Sequence, residues 1–274
     1  MKTWQLIVEP EPLAGPLNMA IDEHLFDLAA ASGRTFLRFY QWLRPTASLG
    51  YGQDAAKVVD AAFCRANGID IVRRMTGGKL VLHDREVTYS VASADVSIFS
   101  DNLRDSYRLI SQALLKGLER MGLAARLAET SPPAYAKGTM PCFAFPARDE
   151  IEIGGRKIVG SAQKRTGTLF LQHGSIPLEK DEALLASVSR PGESAESLGM
   201  TSLSEALSRP VDFDAAVGPL IQGFADLFGA VFERYDLDPA GKEAVRSLAS
   251  SKYASDDWTF RRPATPSSSP SSSR

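Results

Sequence analysis

The sequence contains few of the residues that build metal sites and disulfides. Among its 274 residues there are two cysteines, Cys64 and Cys142, and three histidines, His24, His83 and His173. The histidines lie far apart and show no metal-ligand spacing such as HExxH, so we predict no metal ion. Two cysteines in a reducing compartment favour a thiol site or a packing role over a disulfide.

Strong charge of one sign and long apolar runs are also missing. The chain has 31 Lys and Arg residues and 33 Asp and Glu residues, which gives a net charge of −2. The basic surface typical of nucleic-acid binding is therefore not indicated. No apolar run approaches the roughly 18 residues of a membrane span, and the start of the chain has no secretory signal. We therefore expect a cytoplasmic protein, monomeric by default, with neither nucleic acid nor membrane as a partner.

The composition is that of an ordinary globular protein. Hydrophobic residues make up 44% of the chain and charged residues 23%, so a core can form without disulfides or metals. We see no internal repeat and no clear linker, and we predict one domain over residues 1–262. The remainder, 263–274, is nearly all Ser and Pro, offers nothing to bury and is predicted to be disordered.

Helical and extended patterns are mixed along the chain without strict alternation. This mixture favours an α+β fold of mixed β-sheets flanked by helices over a doubly wound sheet. Region 181–200 is expected to be rich in loops. Helices are predicted where apolar residues recur every three or four positions, over 17–31, 56–67, 101–121, 212–228 and 239–252. Strands are predicted at 35–42, 69–74, 87–92, 167–176 and 231–235, with a hairpin whose arms are 150–153 and 156–161.

The first of three segments with candidate chemistry is the run from Arg73 to Asp84. Its paired glycines, Gly77 and Gly78, allow close backbone approach to a ligand and present N–H groups to an anion or carbonyl. Arg73, Arg74 and Lys79 add positive charge. A tight structural turn with solvated arginines explains the pattern equally well, and the segment lacks the GxGxxG and GxxxxGK[ST] phosphate-binding patterns.

The second segment places Cys142 at the end of a loop, 129–141, that is rich in Pro, Ser, Thr and Gly. A thiol at the junction of a loop and a strand is a candidate nucleophile, although a lone cysteine is more often a small buried hydrophobe. Cys64, by contrast, lies inside a predicted helix, and we expect it to pack.

The third segment contains Lys157 and the small residues Gly160, Ser161 and Ala162. Lys157 follows a tight hairpin turn, and the small residues permit close backbone approach. From spacing alone, an exposed hairpin lysine is the simpler interpretation.

Together and in order, these segments resemble the lipoate–protein ligase and octanoyltransferase superfamily, which shares its catalytic fold with biotin protein ligases. The resemblance covers most of residues 1–260 and implies a single catalytic domain of that type. Lys252, Tyr253 and Trp258 are similar to its closing motif. The matching segments are Leu17–Glu23 for the first helix, Arg73–Asp84 for RRxTGGxxVxHD, Lys157–Gln163 for KIxGSAQ and Leu171–Ile176 for LQHGS.

Within the superfamily, the chain is most similar to octanoyltransferases of the LipM type. Cys142 stands in a Pro-Cys-Phe context fifteen residues before Lys157, and Lys79 replaces the third glycine usual in ligases. We also expect no extra C-terminal domain of the kind that some ligases possess. The resemblance implies transfer of octanoate from octanoyl-acyl-carrier-protein to a lysine of a lipoyl-domain protein, such as glycine cleavage H protein or a 2-oxoacid dehydrogenase E2, without ATP, Mg²⁺ or another cofactor.

The resemblance also implies roles for individual residues. Cys142 would carry the octanoyl group as a thioester, and the ammonium of Lys157 would stabilise its thiolate. The alternatives are an amidotransferase between lipoyl-domain proteins, an ATP-dependent lipoate–protein ligase and a catalytically inactive acyl-binding or carrier-binding module. The predicted substrate-binding residues are Arg74, Thr76, Gly77, Gly78, Lys79, His83, Gly160, Ser161 and Ala162.

Overall fold

The computed structural model describes residues 2–130, 149–190 and 199–261. Within these ranges the strands form one six-stranded and two three-stranded sheets, and helices flank the large sheet. The predicted α+β class with mixed sheets is confirmed. Cys142 and the predicted tail, 263–274, lie outside the described residues, as does most of the predicted loop 129–141.

The large sheet mixes parallel and antiparallel pairs in the order β10-β11-β6-β2-β1-β12. Strands β12, β1 and β2 are parallel to one another, whereas β2, β6, β11 and β10 pair antiparallel. The small sheets have the orders β4-β3-β5 and β7-β8-β9. The strands are β1 (Lys2–Val8), β2 (Phe36–Tyr40), β3 (Thr46–Leu49), β4 (Asp70–Arg73), β5 (Val81–His83), β6 (Glu86–Ser93), β7 (Arg126–Leu127), β8 (Ile151–Ile153), β9 (Arg156–Lys157), β10 (Gly160–Thr166), β11 (Leu169–Pro177) and β12 (Ala230–Arg234).

Helices cover both faces of the large sheet. The helices are α1 (Gly15–Ser32), α2 (Ala55–Val58), α3 (Ala61–Ala66), α4 (Leu103–Arg120), α5 (Glu182–Val188), α6 (Leu203–Leu207), α7 (Phe213–Phe228), α8 (Pro239–Leu248) and α9 (Asp256–Phe260), with a π-helical turn over Ala249–Tyr253 between the last two. Helices α4 and α7 pack on one face, and α1 and α8 pack on the other. None of the helices described is both long and apolar enough to traverse a bilayer.

Alternation along β2 explains how the sheet serves both layers. Leu37 and Phe39 point into the core beneath α4 and α7, whereas Phe36 and Tyr40 belong to the core beneath α1. Arg38, at an even position of the same strand, is fully buried and bonds to residues of α1. Successive side chains of a strand face opposite sides, so this polar residue is placed under α1.

The single helix predicted over 56–67 is wrong, because two short helices occupy this stretch. Val59 is extended and bridges to Ser189, which interrupts the helical backbone. The side chain of Asp60 then accepts hydrogen bonds from the N–H groups of Ala62 and Phe63 and starts α3. Cys64 lies in α3 and is fully buried, so its predicted packing role is confirmed.

Two other sequence predictions need correction. The return arm of the hairpin ends at Lys157, because β10 leaves the small sheet and pairs with β11 at the edge of the large one. The region expected to be loop-rich contains α5, which Asp181 caps through the N–H of Leu184. Strand β1 and helix α9 were not predicted at all.

Candidate active site

A cleft with an empty volume of about 620 Å³, counting space open to solvent, lies where the large sheet meets the two small ones. It brings together most of the sequence-predicted site residues, namely Arg74, Gly78, Lys79, His83, Lys157, Gly160, Ser161 and Ala162. Its wall also includes Met19, Tyr40, Trp42, Val81, Glu150, His173, Gly174 and Ser175. Thr76 and Gly77 do not line it: Thr76 is fully buried behind the wall, and Gly77 is exposed next to Gly78.

The guanidinium of Arg74 holds the turn that follows β4. Its Nη1 donates to the carbonyl and hydroxyl of Ser48 at 2.6 and 2.7 Å, and its Nη2 donates to the carbonyls of Gly77 and Lys79 at 3.0 and 2.9 Å. This one buried side chain therefore fixes the backbone conformation of the turn.

Close backbone packing also constrains this turn. A Cβ on Gly50 would lie 1.9 Å from the carbonyl oxygen of Gly78, so only glycine fits at position 50. Gly78 itself has φ +93°, a conformation that side-chain-bearing residues rarely adopt. The paired-glycine pattern seen in the sequence thus has a partner glycine immediately after β3.

The neighbouring Arg73 points away from the cleft and is fully buried. Among the described residues, its donors contact only backbone carbonyls, those of Gly50, Tyr51, Gln53, Trp258 and Thr259. The indole of Trp258 returns a hydrogen bond to the carbonyl of Arg73 at 2.9 Å. Hydrogen bonds therefore connect Trp258, in the closing motif, to β4, the strand that leads into the cleft.

His83 is fixed on the cleft floor by a buried carboxylate. Its Nδ1 lies 2.8 Å from Glu86 Oε1, and its Nε2 lies 2.6 Å from the hydroxyl of Ser48. Trp42 stacks on the imidazole at a centroid distance of 4.1 Å and donates from Nε1 to Glu86 at 3.1 Å. The hydroxyl of Ser175 donates to the other oxygen of Glu86 at 2.6 Å. The carboxylate is thus fully engaged in positioning its neighbours.

A second buried carboxylate, Asp22, supports His173. Asp22 Oδ2 lies 2.9 Å from His173 Nδ1, and Oδ1 accepts a bond from Arg38 Nη1 at 3.0 Å. Burial lowers the pKa of His173, and the positive charge of Arg74 adds to this effect. Burial opposes ionisation of Asp22, but its hydrogen bond to His173 and the charge of Arg38 outweigh this and lower its pKa. The pair is therefore a neutral imidazole and a charged carboxylate.

We expect these shifts to appear as pH-dependent stability in two steps. The pKa of His173 is lower in the fold than its usual 6.5, so its contribution to the free energy of unfolding is complete above about pH 6.5. That contribution is lost as the pH falls below 6.5 and through the lower pKa of the folded state. The contribution of Asp22 is complete above about 3.8 and is lost below it. Urea unfolding between pH 7.5 and 5 should show the first loss, diminished in His173→Gln and retained in His24→Gln. An equal loss in both variants would contradict the assignment.

Lys157 and Glu150 form a buried ion pair on the opposite wall of the cleft. Their side chains approach to 2.7 Å between Nζ and Oε1, and both residues are buried. The backbone of Lys157 is held on its other side, since its N–H donates to the carbonyl of Gly199 and its carbonyl accepts from the N–H of Thr201. The lysine is therefore fixed inside the cleft, which rules out the simpler interpretation of an exposed hairpin side chain.

The small residues of β10 allow β11 to come close. A Cβ on Gly174 would lie 2.6 Å from the ring of Tyr89, 2.7 Å from the hydroxyl of Ser161 and 2.8 Å from the carbonyl of Gly160. Ser161 and the Tyr89 hydroxyl are 2.7 Å apart, and Gln172 donates to the same hydroxyl at 2.9 Å. Glycine is thus required in the LQHGS segment where the two strands line the cleft.

Sequence inspection missed most of the buried polar residues that line the cleft or lie behind it. A usable indication existed, because polar residues occur at alternate positions of otherwise apolar strands and so share the face beneath α1. Across the described ranges, no three His, Cys, Asp or Glu side chains cluster in a way suited to a metal ion. The missed residues are Asp22, Arg38, Tyr40, Trp42, Ser48, Glu86, Ser90, Glu150, His173 and Ser175.

The fold and the cleft define a lipoyl-ligase type of catalytic domain. The model of the lipoyl protein ligase A/B catalytic domain matches residues 15–225, and the chain belongs to this family. Among its curated relatives, octanoyltransferase LipM of Kyrpidia tusciae is 38% identical, with 96% of this chain and 100% of the relative covered. The LipM of Geobacillus kaustophilus is 37% identical, with 89% and 94% covered.

Solved structures of lipoate ligases share the fold. A lipoate-protein ligase A bound with ATP superposes with a TM-score of 0.82 at 23% identity, covering 96% of this chain and all of that one. A bi-partite lipoate protein ligase from Thermoplasma acidophilum gives 0.78 at 22% identity, covering 97% and 99%. At this level of identity the likeness concerns the fold alone.

Proposed function

We propose that the protein is an octanoyltransferase that moves octanoate from octanoyl-acyl-carrier-protein to a lysine of a lipoyl-domain protein through a thioester on Cys142. The observation that carries the proposal is the buried ion pair of Lys157 with Glu150 on the cleft wall, with Lys157 fifteen residues after that cysteine. The octanoyltransferase activity named for the LipM relatives supports it. We further propose a monomeric cytoplasmic enzyme with one catalytic domain over residues 1–262.

The cleft suits an acyl chain with a reactive head group. Met19, Tyr40, Trp42 and Val81 offer apolar surface on one side, and Lys157 lies on the wall formed by the small hairpin. The first step joins the Cys142 sulfur to the acyl carbon and breaks the carrier's carbon–sulfur bond, and the carrier leaves as a thiol with the proton from Cys142. One thioester replaces another, so the exchange is close to isoenergetic.

In the second step the neutral amine of the acceptor lysine attacks the acyl carbon. A carbon–nitrogen bond forms, the bond to Cys142 breaks, and one amine proton passes to the departing sulfur. The amide is more stable than the thioester, which makes this step downhill. In both steps negative charge develops on the acyl oxygen and needs fixed donors, for which the N–H groups of Gly77 and Gly78 are candidates.

Intact mass after incubation with octanoyl-acyl-carrier-protein tests the proposal. We expect a hydroxylamine-sensitive octanoyl adduct, formed without ATP, that passes to a lipoyl domain. Cys142→Ala should abolish the adduct, whereas Cys64→Ala should form it normally, because burial raises the pKa of the Cys64 thiol to about 11. An unchanged adduct on Cys142→Ala would sink the assignment.

The same assay separates the alternatives. Acylation from an octanoylated H protein but not from the carrier protein would identify an amidotransferase. Adduct-free transfer that requires ATP and free acid would identify a ligase. Binding of octanoate without any transfer would leave an acyl-binding module.

A further inference from the structure

Thr76, His173 and Asp22 form a linear hydrogen-bonded chain, in which His173 belongs to the cleft wall and the other two lie behind it. The Thr76 hydroxyl lies 2.7 Å from His173 Nε2, and His173 Nδ1 lies 2.9 Å from Asp22 Oδ2. A hydroxyl, an imidazole and a carboxylate in this order also occur in serine hydrolases. Here, however, Thr76 has 0% of its surface exposed, so its hydroxyl does not reach a substrate. These three hydrogen-bonded side chains must therefore act by holding a neighbouring part of the structure in position.

The proton positions along the chain are determined by its anchor. Asp22 is charged and accepts bonds from Arg38 and from the hydroxyl of Tyr40 as well as from His173. A neutral His173 that donates from Nδ1 can only accept at Nε2, so the Thr76 hydroxyl is the donor there. Every group has one role, and the Thr76 side chain is fixed in a single orientation.

The residue that this chain holds begins the glycine turn at the cleft. The Thr76 carbonyl accepts from the N–H of Tyr51 at 2.8 Å, and the Gly77 carbonyl accepts from Arg74. The N–H groups of Gly77 and Gly78 contact no acceptor in the part of the chain that the structure describes. Both glycines are exposed, and Gly78 lines the cleft. Adjacent donors on a glycine turn can bind an anionic oxygen.

We propose that the Asp22–His173–Thr76 chain positions the N–H groups of Gly77 and Gly78 for the oxyanion that forms during acyl transfer. The inference rests on the proposed octanoyl transfer. Two consecutive glycines have wide conformational freedom, so their orientation has to be imposed by their neighbours. Arg74 donates hydrogen bonds to the carbonyls of the turn, and the hydrogen bond of the Thr76 side chain fixes the position at which the turn starts. Thr76 and His173 are therefore positioning residues.

Variants at Thr76 test the inference through kinetics. Thr76→Val keeps the shape but removes the donor, and we expect kcat for octanoyl transfer to fall by about 100-fold with KM for the octanoyl carrier protein nearly unchanged. Thr76→Ser keeps the hydroxyl and should restore most of kcat. Thr35→Val is a matched control, because Thr35 is also buried and its hydroxyl bonds to Ser93 at 2.7 Å at the other end of β2. Its kcat should equal that of the wild type.

Amide hydrogen exchange at Tyr51 provides a readout that needs no activity. Its N–H is bonded to the Thr76 carbonyl, so exchange should be slow in the wild type and in Thr76→Ser and faster in Thr76→Val. A Thr76→Val enzyme with normal kcat, or with unchanged exchange at Tyr51, would overturn the inference. A wild-type protein that transfers no acyl group would overturn the proposed function instead, and the exchange comparison would still decide whether Thr76 anchors the turn.

Discussion

Replacement of Lys157 by methionine is expected to reduce octanoyl transfer by about 1,000-fold, within the range for loss of an acid–base or charge-stabilising group. A free thiol has a pKa of about 8.5, so only a few per cent of it is thiolate near neutrality. An ammonium next to a thiol favours the thiolate, at roughly 1.4 kcal/mol for each pKa unit, and we propose this role for Lys157 toward Cys142. Methionine keeps the length and apolar stem of the lysine but carries no charge.

The measurement is the rate of Cys142 alkylation against pH in a Cys64→Ala background. The apparent thiol pKa should rise toward about 8.5 in Lys157→Met. Lys164→Met is the control, since this lysine of β10 packs over the ring of Phe26 and does not line the cleft. An apparent thiol pKa that does not move in Lys157→Met would refute the electrostatic role.

The ion pair predicts that the stability and activity effects of this variant are separable. Lys157→Met deprives the buried Glu150 carboxylate of its ammonium, and removing one partner of a buried pair costs about 3 kcal/mol. Adding Glu150→Gln removes the carboxylate that the Lys157 ammonium neutralises, so the double variant should recover much of the unfolding free energy. It should not recover acyl transfer, because the ammonium is still missing. Recovery of both would mean that the lysine acts only through stability.

Replacement of Arg73 by leucine should lower the free energy of unfolding by about 4 kcal/mol and the Tm by about 10 °C. The guanidinium is the shared partner of carbonyls in the turn Gly50–Gln53 and of those of Trp258 and Thr259. A leucine would leave these buried acceptors without donors, and each such loss costs about 1–3 kcal/mol. Relaxation and water entry reduce the sum.

Thermal and urea unfolding measure this effect. Arg73→Lys should lie between the wild type and Arg73→Leu, because an ammonium has three donors but cannot span both groups of carbonyls. Arg44→Leu is the control, since Arg44 is half exposed and its contact with Asp70 is 3.9 Å long. If Arg73→Leu and Arg44→Leu had the same Tm, the carbonyls bonded to Arg73 would have found other donors, and Arg73 would not be what holds α9.

The local patterns predicted the long helices well and the short elements poorly. Apolar periodicity over 101–121 and 212–228 is confirmed as α4 and α7, because each helix buries one continuous face against the sheet. The stretch 56–67 failed because a bridge from Val59 to Ser189, distant in sequence, breaks the helix. Strand β1 was missed because its partners are distant in sequence: β2 begins 34 residues after the start of β1, and β12 begins 228 residues after it.

The sequence alone determined the α+β class, the ordered motifs and the residue types at the cleft. These depend on hydrophobic periodicity and on chemistry carried by consecutive residues. The family resemblance predicted Arg74 rather than Arg73 at the site, but only the tertiary structure gives the reason: β4 ends there, and it turns Arg73 toward α9 and Arg74 toward Ser48. The tertiary structure likewise paired Asp22 with His173 and placed Lys157 beside Glu150, since strand pairing and helix packing join positions that no local pattern connects.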